Sequence, residues 1–83
     1  MEQQIREILA AYGRLGVDVD TLDANADLYM NGMTSHASVN VMIGLEEAFD
    51  VEFPSEMLRK ATFASIAAIE AALTELTPSS LAG

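Results

Sequence analysis

The sequence predicts an all-α fold: a four-helix bundle of three long helices and one short one, with a long loop between the first two. Three observations carry that prediction. Apolar residues recur at three-and-four spacing in three stretches, no sustained apolar/polar alternation occurs, and 83 residues suit one small core of packed helices. One domain is expected over residues 1–77, with a frayed tail over 78–83 that begins at Pro78.

In the first helix, Ile5, Ile8, Leu9 and Tyr12 share one face, and Gly13 and Gly16 mark an end, so residues 2 to about 15 are expected to be helical. The stretch 16–33, GVDVDTLDANADLYMNGM, is rich in turn-forming Asp, Asn and Gly. Val17, Val19, Leu22, Leu28, Tyr29 and Met33 punctuate it as apolar anchors. A loop this long in a small domain is usually functional or pinned, and the anchors predict pinning.

The second helix begins at Thr34 or Ser35 and runs to Phe49, where the extended FDVEFP piece ends it. Val41, Leu45, Ala48 and Phe49 are expected to form its core stripe, with Gly44 allowing a neighbouring helix to approach closely. Ser35, His36, Val39, Asn40, Ile43, Glu46 and Glu47 lie opposite or beside that stripe. This mixed face is either buried on a second side or forms a docking surface with a small apolar centre and an acidic rim. A short third helix is expected over residues 56–59, capped by Ser55, and a last helix capped by Thr62 carries Phe63, Ile66, Ile69, Leu73 and Leu76.

Charge and composition exclude much. Thirteen acids against four bases give −9, which makes nucleic acid and anionic membrane poor partners. Between residues 15 and 58 nine acids stand without one Lys or Arg, so partners with basic surfaces are expected. Hydrophobic residues make up 51%, too many for disorder to explain the charge. The absence of cysteine removes disulfides and thiol chemistry, and a single histidine removes any multi-histidine metal site within the chain. MEQQIREIL lacks a secretory pattern and no apolar run is long enough to span a bilayer, so a soluble, cytoplasmic monomer is expected.

The pair Ser35-His36 invites comparison with a nucleophile and its base. Adjacent helical residues point about 100° apart, which keeps the two from facing each other. No nucleophile elbow, phosphate loop or paired-carboxylate constellation accompanies them, and catalysis is not expected. If Thr34 caps the second helix, Ser35 becomes its first residue with a free hydroxyl, placed where a bound anion is favoured. If Ser35 is itself the cap, the pattern is only a good helix start.

The segment ADLYMNGMTSHASVNVMIGLEEAFDVEFP resembles the centre of acyl carrier proteins and peptidyl carrier domains. Their pattern runs from an A-D-L loop through a G-x-D-S-L attachment motif to an LEE-F-(D/N)-(I/V)-x-(I/F)-P ending. The second half is close, whereas Thr34 stands in place of the motif's acid and His36 in place of its leucine. The resemblance implies an acyl-carrier-like bundle in which Ser35 bears 4'-phosphopantetheine, attached by a phosphopantetheinyl transferase. It also implies a loading ligase with a basic docking surface, met by His36, Val39, Asn40 and Ile43 with Glu46 and Glu47 as the rim. GMTSHASVNVM and TFASIAAIE further resemble the stand-alone carriers of amino acid:carrier protein ligases, which implies an aminoacyl cargo held as a thioester. A specialised fatty-acyl or polyketide acyl carrier and an unmodified acidic adaptor are the alternatives.

Overall fold

The three-and-four pattern of the N-terminal stretch becomes helix α1, Glu2–Tyr12, in a computed structural model that describes residues 1–76. The frayed tail expected over 78–83 lies outside the described residues. Ile5 and Leu9 are fully buried along α1, which packs against both later helices. The helix stops at Tyr12 rather than near residue 15: the Gly13 N–H bonds the Leu9 carbonyl at 2.7 Å, and Arg14 turns the chain with a left-handed φ of 53°.

Pinning of the long loop is confirmed, and much of it falls to Arg6. Its Nη1 donates to the carbonyls of Val19 at 2.5 Å and Leu22 at 2.7 Å, while Nε and Nη2 hold the Glu2 carboxylate at 3.0 and 2.8 Å. The loop contains a 3-10 turn, Val19–Thr21, whose start is capped by Asp18. At its far end the Leu28 N–H bonds the Ala64 carbonyl at 2.8 Å, and the Ala67 N–H bonds the Ala24 carbonyl at 2.9 Å. Val19, Leu28 and Met33 are buried and Leu22 and Tyr29 partly so, but Val17 is exposed and anchors nothing. Gly32 closes the loop at φ +115°, where an added Cβ would lie 3.1 Å from the Gly16 nitrogen. That nitrogen in turn donates to the Asn31 carbonyl at 3.1 Å.

Helix α2, Ser35–Phe49, buries Ala37, Val41, Gly44 and Leu45. Gly44 does permit a close approach, since a Cβ there would meet the Tyr12 ring at 3.0 Å and Ile8 at 3.1 Å. The expected core stripe needs one correction: Ala48 is exposed and Phe49 only partly buried. Asp50, left-handed at φ 53°, reverses the chain after α2, and the buried Phe53 takes a core position downstream.

The short third helix expected over residues 56–59 is replaced by two 3-10 turns, Ser55–Met57 and Lys60–Phe63. Arg59 is extended between them at φ −141° and ψ 162°, and no side chain caps the first turn, so Ser55 does not play that part. A stretch this short does not recover the cost of starting an α-helix. The last helix, α3, spans Ile66–Leu76 and starts later than expected. Ser65, not Thr62, provides the capping oxygen, accepting the Ala68 N–H at 3.0 Å.

The core joins Ile5 and Leu9 of α1, Val41 and Leu45 of α2, and Ile66, Ile69 and Leu73 of α3, with Leu28 reaching in from the loop. Phe53 and Phe63 meet edge to face with ring centres 5.2 Å apart. The two ends of the described chain also adjoin, Thr74 Oγ1 lying 3.9 Å from Met1 Sδ. The architecture is the expected all-α bundle, without strands among the described residues.

Candidate functional site

Where the loop becomes α2, the choice between Thr34 and Ser35 as the cap is resolved. Thr34 has extended backbone angles, and its Oγ1 accepts the Ala37 N–H at 3.0 Å. Its carbonyl accepts the Ser38 N–H at 2.9 Å. Ser35 is therefore the first residue of the helix, and it is exposed. Among the described residues no group hydrogen-bonds its hydroxyl; Ser38 Oγ donates to the Ser35 carbonyl instead, at 2.7 Å. The first helical N–H groups, those of Ser35 and His36, also point toward this end.

Ser35 stands at the edge of a groove of about 320 Å³. Its apolar lining comes from Val39 and Met42 of α2 and from Leu58 and Phe63 across the way. Arg59 and Lys60 also line it, and Lys60 Nζ lies 4.8 Å from the centre of the Tyr29 ring.

The expected docking residues divide. His36 and Glu47 are exposed, Val39 and Ile43 are half exposed, and Asn40 is partly buried. Residues 36, 40, 43 and 47 fall on one helical face, with Val39 beside them. Glu46 departs from this group, because its Oε2 accepts the Phe53 N–H at 2.9 Å and ties the segment after α2 back onto the helix. Sequence reasoning missed Met30, 85% exposed in the turn before Ser35, and Leu58, which borders the groove. It also missed Arg59 and Lys60, although a signal was present: they are the only basic residues after Arg14. No group of three or more His, Cys, Asp or Glu side chains able to hold a metal ion occurs among the described residues. No helix among them is long and apolar enough to cross a membrane.

A hydroxyl at an exposed helix start, unengaged among the described residues and lining a groove, suits a protein that presents an attached group. The chain matches the family described as "Phosphopantetheine attachment site" over residues 3–73, and it belongs to that family. Its members are carriers rather than enzymes and bear 4'-phosphopantetheine covalently on a serine.

The chain is 56% identical over 70 residues to the aminoacyl carrier protein of Agrobacterium fabrum, covering 84% of each. It is similar to a chain in the crystal structure of an engineered Bradyrhizobium japonicum glycine:[carrier protein] ligase complexed with carrier protein from Agrobacterium tumefaciens and AMP. The TM-score is 0.87 at 53% identity, covering 89% of this chain and 99% of that one. A solution structure from Agrobacterium tumefaciens aligns over all of both chains, with a TM-score of 0.74 and 48% identity.

Proposed function

We propose that Ser35 carries the 4'-phosphopantetheine arm and that the protein is an aminoacyl carrier charged by an amino acid:carrier protein ligase. The observation that carries this reading is the division of labour at the start of α2, where Thr34 caps and leaves the Ser35 hydroxyl exposed and unengaged. The residues fit the group: the Ser35 oxygen is reachable by a transferase, the helix start favours a phosphodiester, and a groove adjoins it. When attached, the arm supplies a terminal thiol on which an aminoacyl group rides as a thioester. The chain itself holds that attachment point rigid and offers the face of His36, Val39, Asn40 and Ile43, with Glu47 as acidic rim, to successive enzymes. Glu46 adds charge to that rim while holding Phe53.

Likeness to the aminoacyl carrier protein and to the chain found with a glycine:[carrier protein] ligase supports the aminoacyl cargo. The partners in this reading are a phosphopantetheinyl transferase and a ligase with a basic docking surface, each met by a monomer. A fatty or polyketide acyl carrier is the second reading, favoured by the apolar groove lining of Val39, Met42, Leu58 and Phe63.

Intact mass after incubation with a broad phosphopantetheinyl transferase and coenzyme A tests the site: one arm is expected on the native protein and none on Ser35→Ala. Addition that survives Ser35→Ala overturns the assignment. The holo protein, ATP, small amino acids and an amino acid:carrier protein ligase then test the cargo. Failure with every small amino acid, alongside loading by acyl transfer from acyl-CoA, selects the second reading.

A further inference from the structure

Four basic residues serve this chain against thirteen acids, so the position of each is informative. Arg6 is committed to Glu2 and the loop carbonyls, and Arg14 lies exposed in the turn after α1. The other two, Arg59 and Lys60, are adjacent, and both line the groove that Ser35 borders. Neither is paired with a carboxylate: the ion pair found among the described residues is Arg6 with Glu2. In so acidic a chain, two neighbouring unpaired cations leave positive charge available for an anion from outside the fold.

Both side chains are oriented by neighbours that do not neutralise them. Arg59 Nε donates to the Glu56 carbonyl at 2.8 Å, which fixes the guanidinium while leaving its terminal nitrogens free. Lys60 Nζ rests over the Tyr29 ring at 4.8 Å, a contact that positions the ammonium and preserves its charge. Ser35 and both cations line the same groove, whose apolar lining comes from Val39, Met42, Leu58 and Phe63.

We propose that Arg59 and Lys60 are positioning residues that seat the phosphodiester joining the arm to Ser35, so that the first part of the arm lies along the groove instead of sweeping freely. The inference rests on the reading that Ser35 is the attachment point. Charge complementarity selects the occupant: the phosphodiester is the arm's anion and is tethered at the groove's edge. The branched dimethyl segment that follows the phosphate matches the apolar lining. A volume of about 320 Å³ is at the lower end of small-molecule sites, which are roughly 300–1,000 Å³, so the thiol end is left outside for partner enzymes.

The test is NMR on holo protein whose arm is labelled with ¹³C and ¹⁵N. In the native holo protein at low salt, the arm amide nearest the phosphate is expected to have an order parameter above about 0.6, the level below which a segment counts as flexible. Nuclear Overhauser contacts are expected from the arm methyls to Met42, Leu58 and Phe63. At 1 M salt, where the screening length falls to about 3 Å, the order parameter should drop below about 0.6 and the contacts should fade. Arg59→Gln with Lys60→Gln should give the same loss at low salt, whereas Arg59→Lys with Lys60→Arg should retain the seat.

Both side chains are exposed, so the backbone amide spectrum away from the groove is expected to stay unchanged. The salt series on the native protein needs no variant and stands even where one misfolds. An arm present on Ser35 but mobile in the native protein, or equally ordered in the Gln pair, overturns the seat alone. Absence of any arm on Ser35 by intact mass overturns the attachment reading and the seat with it.

Discussion

Replacing Thr34 and Ser35 separately distinguishes a cap from a presented side chain. Thr34 Oγ1 accepts the Ala37 N–H at 3.0 Å, so Thr34→Ala removes a capping hydrogen bond at an exposed helix start. Such caps are worth about 1 kcal/mol, within a range of roughly 0.5–2. For a domain of this size that corresponds to a fall of about 4–8 °C in Tm. Ser35→Ala removes a hydroxyl with no partner among the described residues and places a better helix former in the first turn, so its stability should lie within about 0.5 kcal/mol of native. Thr34→Ser should keep most of the stability, and Thr34→Asp should keep it and add about 0.3–1 kcal/mol from the helix dipole at low salt. Urea unfolding of the four apo variants measures all of this. If Ser35→Ala loses about 1 kcal/mol while Thr34→Ala is neutral, Ser35 is the cap, its hydroxyl is not free, and the basis for the attachment site fails.

Arg6→Met should destabilise the protein by about 2–3 kcal/mol, because two loop carbonyls lose a charged donor. Hydrogen exchange should accelerate across residues 19–28, and unchanged protection there would show that the loop is held by other means. Glu47→Lys should slow association with a loading ligase and weaken its salt dependence while leaving stability within about 0.5 kcal/mol. Glu46→Lys should slow association likewise but cost about 1–2 kcal/mol in urea unfolding, since the Phe53 N–H loses its acceptor. Unchanged ligase binding in both variants would place the docking face elsewhere. Gly32→Ala should cost about 1–3 kcal/mol from its positive φ alone, and a native-like urea midpoint would refute that backbone geometry.

Much of this was legible in the sequence because the signals were local. Apolar spacing exposed α1 and α2, and the likeness of ADLYMNGMTSHASVNVMIGLEEAFDVEFP to the carrier pattern pointed to Ser35 before any tertiary contact was known. The errors arose where competing local signals looked alike. Thr62 and Ser65 are equally good capping residues, and Phe63, Ile66 and Ile69 repeat at a spacing of three that suits a 3-10 turn running into an α-helix as well as one longer helix. Ala48 fitted the core stripe by period, but a helical period does not reveal that Phe53 returns after a left-handed Asp50 to enter the core. Glu46 carries a rim charge and a backbone bond at once, and only the second depends on where the chain goes next. The groove was illegible for the same reason, since it brings Ser35 together with Arg59 and Lys60 across a chain reversal.

The contact between Met1 and Thr74 sets a polarity for the whole molecule. Helix α1 has eleven residues and is about 16 Å long, with Met1 beside one end and the Gly16–Asn31 bond, which leads into Ser35, following the other. A tag, surface or second protein joined at Met1 enters near Thr74, along the helix from the serine. With Ser35 as the proposed attachment point, the bundle would be held from one pole and read from the other, a handle-and-tip geometry that lets it be immobilised or fused without crowding that serine.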